Sequence, residues 1–110
     1  MSDNLKQQVK RKLNITWQDE DTDARVADIM ESASVHLRHE LGITDINFDF
    51  SAPGIENLLF KNYCFYEWNH ALNEFEENYR SLIMDARAKY EVEQYRESED
   101  MTDDTEQASL

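Results

Sequence analysis

The sequence predicts an all-α protein, a small helical bundle of three to four helices with a long C-terminal helix. Three observations support this class. The 110 residues include two glycines and one proline, too few for the turns of a hairpin-rich sheet. Apolar residues recur at three- and four-residue spacing through most of the chain, which is the period of an amphipathic helix. The length and the 40% hydrophobic content indicate one domain with a modest core.

The first predicted helix covers residues 2–13. Its apolar stripe has members four residues apart: Leu5, Val9 and Leu13. Ser2 or Asp3 is placed to cap the helix at its N-terminus. Lysine and arginine fill the other side near the C-terminus, where positive charge suits the helix dipole.

The second predicted helix covers residues 22–41 and follows a connector over residues 14–20. Ile15 and Trp17 of the connector are expected to fold back onto the core. The apolar face of the helix has 3–4 spacing: Val26, Ile29, Met30, Ala33, Leu37 and Leu41. Gly42 stands where a left-handed C-terminal cap is expected.

Residues 43–53 form the one long irregular stretch. Ile46, Phe48 and Phe50 alternate with polar residues, which is the two-residue period of a strand. Two interpretations stay open here: a short extended segment, or a loop that lies over the core. Pro53 and Gly54 then interrupt the chain.

Residues 54–95 are predicted to form one long helix, or two helices that meet end to end. Eight apolar residues share one 3–4 stripe: Leu58, Phe65, Trp68, Leu72, Phe75, Tyr79, Leu82 and Ala86. The first half has a second apolar face at Phe60, Tyr63 and Cys64, so other elements are expected to cover it. The second half has one stripe, so we expect it to project outward or to meet a partner. An unbroken helix would be about 60 Å long.

The chain is strongly acidic. Its net charge is −13, of which residues 96–110 contribute −5. This balance disfavours nonspecific binding to a nucleic-acid backbone. The sequence divides into a helical domain, residues 1–95, and an acidic tail, residues 96–110, whose composition favours disorder. No signal peptide or membrane-length apolar run is recognisable, so we expect a soluble protein made in a reducing cytoplasm.

Two patterns suggest metal ligands, and each also has a simpler interpretation. Residues 19–23 resemble the start of a calcium loop, but Ala24 and Met30 stand where glycine and glutamate are needed. A charge cluster at a helix start is favoured there. His36, His39 and Glu40 lie on one side of the second helix, as zinc ligands do. No further ligand is placed by the sequence, so a solvated helix face is favoured.

No catalytic constellation is recognisable, and the chain is predicted not to be an enzyme. Cys64 is the only cysteine. It is six positions from His70 on one helix, so the two residues do not share a face; a buried filler is favoured. Glu74, Glu76 and Glu77 are expected on a solvated face. No cofactor fingerprint is present.

Aromatic residues crowd the long helix: Tyr63, Tyr66, Trp68, Tyr79, Tyr90 and Tyr95. Core packing explains Trp68 and Tyr79. Tyr90 and Tyr95 lie beyond the part that a small core covers, and such residues are typical of protein–protein contacts. The predicted interface consists of Tyr79, Ile83, Arg87, Tyr90 and Tyr95.

The order of these patterns resembles the head–tail connector (head-completion adaptor) family of long-tailed bacteriophages. The resemblance covers residues 5–95. It rests on these stretches: VKRKLNI from Val9, the acidic turn from Trp17 to Asp23, RVADIM from Arg25, Leu41–Ile43, Leu58–Leu59, Tyr63, Tyr66, Trp68, Asn69 and FEENYRS from Phe75.

The resemblance implies a virion protein without catalytic residues or cofactors. Members form a ring, usually of twelve copies, beneath the portal protein, extend the DNA channel, and dock a stopper or tail-completion protein. The portal would be engaged by residues 79–110. The protein would be located at the head–tail interface of the virion and in the host cytoplasm during assembly. It would let DNA pass without specific binding and have no membrane partner.

Two other functions stay open from the residues. An acidic regulatory protein-binding module, of the DNA-mimic or anti-repressor type, would present its carboxylates to a basic partner. An enzyme with a zinc site at His36 and His39 is the third possibility, and it requires a bound metal.

Overall fold

The described residues form four helices, which confirms the predicted all-α class and the long C-terminal helix. The computed structural model describes the backbone of residues 2–109 and the side chains of residues 2–96. The helices are α1 (Asp3–Lys12), α2 (Glu20–Leu41), α3 (Ile55–Trp68) and α4 (Leu72–Ser109). α2 and α3 each contact all three of the other helices and together form the centre of the bundle. The tail predicted to be disordered covers residues 96–110. Beyond Arg96 it lies outside the residues whose side chains are described, so its disorder stays a prediction.

The first two helices begin at side-chain caps. The Leu5 amide donates to the Ser2 hydroxyl at 3.2 Å, and the Thr22 amide donates to the Asp19 carboxylate at 3.1 Å. Both bonds satisfy an amide that has no partner within its helix. The predicted helix bounds are therefore correct to within two residues, with Ser2 as the cap of α1.

The first three helices end in the same way, at a residue with left-handed backbone. These residues are Asn14 (φ 60°), Gly42 (φ 74°) and His70 (φ 57°). In each case the backbone amides of this residue and of the next one donate to carbonyls in the last turn of the helix. The Ala71 amide, for example, donates to the Tyr66 carbonyl at 2.8 Å. This is the Schellman motif. The sequence indicated it only at Gly42, because glycine is the usual occupant.

The core is continuous from α1 to α4. All predicted core positions of α1 and α2 are buried, as is Ile15, whereas Trp17 is 50% exposed, so the prediction for Trp17 is wrong. Its indole instead donates to the Thr22 hydroxyl at 3.2 Å. The largest fully buried side chains are these: Phe50, Phe60, Phe75, Leu5, Leu37, Leu41, Leu59, Val9, Val26 and Cys64.

Residues 54–95 form neither one continuous helix nor two helices that meet end to end, so both predictions for this stretch are wrong. The chain turns at residues 69–71 and α4 runs back along α3. The contacts follow an antiparallel order. Near the turn, the rings of Tyr66, late in α3, and Tyr79, early in α4, lie 6.1 Å apart. Farther from the turn, the hydroxyl of Tyr90 in α4 donates to Glu56 at the start of α3 at 2.7 Å. α3 and α4 are thus an antiparallel helical hairpin.

The turn between α3 and α4 depends on His70 and Arg25. The Arg25 guanidinium lies 4.1 Å from the centre of the Trp68 ring, and it donates to the Trp68 carbonyl at 2.8 Å. It thereby satisfies one of the carbonyls left free where α3 ends.

The turn also divides the predicted eight-residue stripe. Leu58 is 41% exposed and Phe65 is 37% exposed, whereas Phe75 is fully buried. The buried face of α3 is instead the one predicted as its second face, including Phe60, Tyr63 and Cys64. The physical reason is the change of chain direction at His70, because a seven-residue repeat keeps one face only along a continuous helix.

The irregular segment before α3, residues 43–54, is a loop that lies over the core. Side chains of Asp45 and Asp49 accept hydrogen bonds from the backbone two residues later, at Asn47 and Ser51, which makes turns rather than a strand. The segment ends at Gly54, whose backbone (φ 156°, ψ −175°) lies in a region almost restricted to glycine.

Candidate interaction surface

Four of the five predicted interface residues lie in or against the protein's own fold. Ile83 is 5% exposed in the core, and the Tyr79 ring stacks on Phe75 at 5.2 Å. Tyr90 is partly buried against the core. Arg87 donates to Glu91 at 3.0 Å and to the Glu40 carbonyl at 3.4 Å. Tyr95, by contrast, is 68% exposed.

The second half of the long stretch is therefore covered by its own chain along one side. The expectation that it projects outward is wrong as far as Gln94, whose side chain donates to the Gly42 carbonyl at 2.8 Å. We call the covered side of α4 the inner stripe: Phe75, Tyr79, Ile83, Ala86 and Tyr90. Whether any of these residues also contacts another protein stays a prediction.

The opposite side of α4 carries a second apolar stripe that is open to solvent. We call it the outer stripe: Met84, Ala88, Val92 and Tyr95. Met84 is 63% exposed and Val92 is 50% exposed. The spacing of 4, 4 and 3 residues keeps its members on one face, about half a turn from the inner stripe at 3.6 residues per turn. A shallow depression beside it is lined by Ala88, Glu91, Val92, Tyr95 and Arg96.

Of the outer stripe, only Tyr95 was predicted from the sequence as an interface residue, although the signal for the others was present. The prediction of a single stripe beyond Glu76 followed the heptad that contains Tyr79 and Ala86. Met84, Val92 and Tyr95 lie outside that heptad and have charged neighbours. An exposed apolar row of this kind on a monomer is typical of a protein contact.

A charged group anchors the middle of α4 to the start of α3. The Tyr90 hydroxyl donates to Glu56 at 2.7 Å and Lys89 lies 3.3 Å from the same oxygen. Burial favours the neutral form of Glu56, but the hydrogen bonds from Tyr90 and Lys89 prevail and hold the pKa of its carboxyl below the ordinary value. Burial and the hydrogen bond to Glu56 raise the pKa of Tyr90.

Replacing Tyr90 with phenylalanine is expected to lower the free energy of unfolding near neutral pH by about 1.5–3 kcal/mol, because a hydrogen bond to a charged group is lost. Since the pKa of Glu56 is lowered by folding, its ionised form stabilises the protein above the ordinary value of 4.5. That contribution is lost as the pH falls through the lower folded-state value. Urea unfolding should therefore show a difference between variant and wild type that narrows on acidification.

The matched control for this variant is Tyr95→Phe, which also removes one tyrosine hydroxyl from α4. Tyr95 is 68% exposed, and its hydroxyl has no hydrogen bond among the described residues. We expect no measurable change in stability at either pH. A difference for Tyr90→Phe that is equal at neutral and acidic pH would show that ionised Glu56 is not its source.

The other predicted sites are arranged as follows. Asp19 caps α2 and Asp23 pairs with Lys10 of α1, so these two acids act at the helix start. Cys64 is buried, and burial raises the pKa of its thiol to about 12, which removes the thiolate that a nucleophile requires. His70 lies in the turn after α3, where its ring is 3.4 Å from Arg25.

The three residues considered as possible zinc ligands, for which a solvated helix face was favoured, are only partly brought together. His36 lies 2.7 Å from Glu76 and 3.3 Å from Glu40. His39 is not a member of this group; it lines a shallow depression on α2 that His36 also lines. Glu74 and Glu77 are exposed, as predicted, whereas Glu76, predicted on the same solvated face, is partly buried and contacts His36.

Within the described part of the chain, no helix has both the length and the hydrophobicity that a membrane span requires. Comparison with known proteins identifies no relative: no family model, curated protein or solved structure matches the chain.

Proposed function

We propose that this protein is a structural adaptor of a long-tailed bacteriophage, which assembles as a ring beneath the portal protein. In this role it extends the DNA channel and docks a stopper or tail-completion protein, in the virion after assembly in the host cytoplasm. The observation that carries the proposal is the outer stripe of α4, since a helix with an exposed apolar row suits docking against another protein. The portal protein is its proposed partner.

The resemblance of residues 5–95 to head–tail connectors supports this choice of partner. In that family the long C-terminal helix engages the portal, and the corresponding region here, residues 79–110, contains the outer stripe. The inner stripe holds α4 on the bundle, so the outer face is presented by an already folded helix. Binding therefore need not include the entropic cost of forming that part of α4.

The acidic composition suits two steps of the proposed assembly. With a net charge of −13, free copies repel one another, so we expect a monomer or weak oligomer in solution and a ring, of about twelve copies in the family, on the portal. A negatively charged channel also disfavours adhesion of the DNA that passes through it.

The proposal is tested by mixing the full-length protein with the purified portal oligomer and counting bound copies by mass measurement and electron microscopy. The variant Val92→Ser with Tyr95→Ser removes two apolar side chains of the outer stripe. We expect its affinity for the portal to fall at least about tenfold, because exposed aromatic residues are frequent binding hot spots. Deleting α4 is not a suitable test, because Phe75, Ile83 and Ala86 would be lost from the core.

The matched control is Val35→Ser with Ile46→Ser, which removes two apolar side chains of similar exposure, 57% and 74%, away from α4. It should bind the portal like the wild type. Equal binding by both double variants would contradict the proposal.

Salt-sensitive binding to a basic DNA-binding protein, with none to the portal, would instead support the regulatory protein-binding module.

A further inference from the structure

Three side chains from two helices converge on one point between α2 and α4. His36 and Glu40 are one helical turn apart on α2, and Glu76 reaches them from α4. The His36 Nε2 atom lies 2.7 Å from Oε1 of Glu76 and 3.3 Å from Oε1 of Glu40. One ligand atom from each residue lies within 4.8 Å of the other two. We call this group the α2–α4 cluster.

The cluster has more acceptors than its histidine can satisfy. A neutral imidazole carries at most one hydrogen on Nε2, and the shorter distance gives it to Glu76. Glu40 then faces a second carboxylate without a hydrogen bond from that ring. Each of the two carboxylates is also about a third exposed. Two like charges held close together are unfavourable, and a divalent cation between them would remove the repulsion.

The donor atoms fit a borderline metal ion. Imidazole nitrogen and carboxylate oxygen bind Zn²⁺ at about 2.0–2.2 Å in tetrahedral geometry. Ligand atoms of such a site are about 3.4 Å apart, so the observed separations require only small side-chain adjustments. The partial exposure of all three side chains leaves access for a water molecule as fourth ligand.

The surroundings hold the histidine in place. The Tyr63 ring, a member of the core, lies 5.3 Å from the His36 ring. The imidazole is thus packed on one side while its Nε2 atom is directed at the two carboxylates. A fixed ring orientation is a requirement of a metal-binding histidine.

We propose that His36, Glu40 and Glu76 bind one divalent transition-metal ion, with Zn²⁺ the best match, and that the ion fastens α2 to α4. The pattern in the sequence, His36 with His39 and Glu40, contained two of these ligands but lacked the third. Glu76 is forty residues from His36 and becomes adjacent only because α4 folds back along the bundle.

The test is a metal titration of the full-length chain after treatment with a chelator. Zn²⁺ binding is measured by calorimetry, and Co²⁺ binding by its visible absorption, which reports tetrahedral coordination. We expect one ion per chain and a higher unfolding temperature with Zn²⁺, because the ion binds only the folded arrangement. Excess Mg²⁺ should not displace it, since Mg²⁺ prefers octahedral oxygen ligands.

Two variants and two controls identify the site. His36→Ala and Glu76→Gln should each weaken Zn²⁺ binding at least about tenfold. Glu76→Gln retains a hydrogen-bond acceptor for His36, so its fold should persist even if His36→Ala proves unstable. The controls His39→Ala and Glu77→Gln alter neighbouring residues of the same types and should change the affinity less than about twofold. Absence of stoichiometric binding, displacement by Mg²⁺, or equal losses in variants and controls would overturn the proposal.

Discussion

Replacing Phe75 with alanine is expected to lower the free energy of unfolding by about 3–5 kcal/mol, the usual cost of removing a buried phenylalanine. Phe75 is fully buried at the centre of an aromatic group on α3 and α4. Its ring lies 5.5 Å from Tyr63, 6.1 Å from Tyr66 and 5.2 Å from Tyr79. Each such pair adds about 0.5–1.5 kcal/mol to the burial term. The measurement is urea unfolding followed by circular dichroism.

The matched control is Phe65→Ala, at the other phenylalanine of the predicted stripe. Phe65 is 37% exposed, and Lys12 lies 5.5 Å from the centre of its ring. We expect a loss of only about 1 kcal/mol, since a ring that is more than a third exposed and one exposed cation–π contact contribute little. A continuous helix with one buried stripe would give the two variants similar losses. Equal losses would therefore contradict the hairpin.

The sequence predicted the helices but not the turn between α3 and α4, because the residue that ends α3 is an unusual one. The helix ends at Asn14 and Gly42 have residues that favour left-handed backbone, whereas the third has His70, which pays about 1–2 kcal/mol for that conformation. The cost is offset by contacts outside the local sequence, including Arg25 bound to the Trp68 carbonyl. Such tertiary contacts are not visible in local spacing.

Four of the five predicted interface residues lie in or against the protein's own fold, on the covered side of α4. Heptad spacing identifies an apolar stripe on α4, and it does not say whether the protein's own core or a partner covers it. Ile83 and Tyr90 are covered from α2, α3 and the preceding loop once α4 folds back. Tyr95 lies beyond the part of α4 that these elements cover. It is therefore largely exposed, unlike Tyr79, Ile83 and Tyr90. The α2–α4 cluster could not be predicted for the same reason, because Glu76 comes close to His36 only when α4 folds back along the bundle.

The loop at residues 43–54 leads to the second large effect. Phe50→Ala should lower the free energy of unfolding by about 3–5 kcal/mol, although Phe50 lies in an irregular segment. The side chain is 2% exposed, and its ring lies 4.9 Å from both Phe48 and Phe60. Its carbonyl accepts a hydrogen bond from the buried Asn57 at 2.8 Å. Urea unfolding measures the loss.

Ile46→Ala is the control, because the two-residue alternation treats Ile46 and Phe50 as equivalent. Ile46 is 74% exposed, so its truncation should change stability by no more than about 0.5 kcal/mol. Similar losses in the two variants would indicate an extended segment with one buried face instead of the observed loop.

The Phe50 variant should also affect α4, because the loop connects the core to the covered side of that helix. The Phe48 ring lies 4.9 Å from Phe50 and 6.4 Å from Tyr90, and Gln94 donates to the Gly42 carbonyl where the loop begins. Without Phe50 the contacts of the loop with α4 weaken. Hydrogen exchange of α4 amides near Tyr90 should therefore accelerate more than exchange near Phe75, because the aromatic residues of α3 pack against Phe75 independently of the loop. Uniform acceleration along α4 would mean that the loop does not support this helix locally. A selective effect would show that a buried loop residue determines how firmly the part of α4 that carries the outer stripe is held on the bundle.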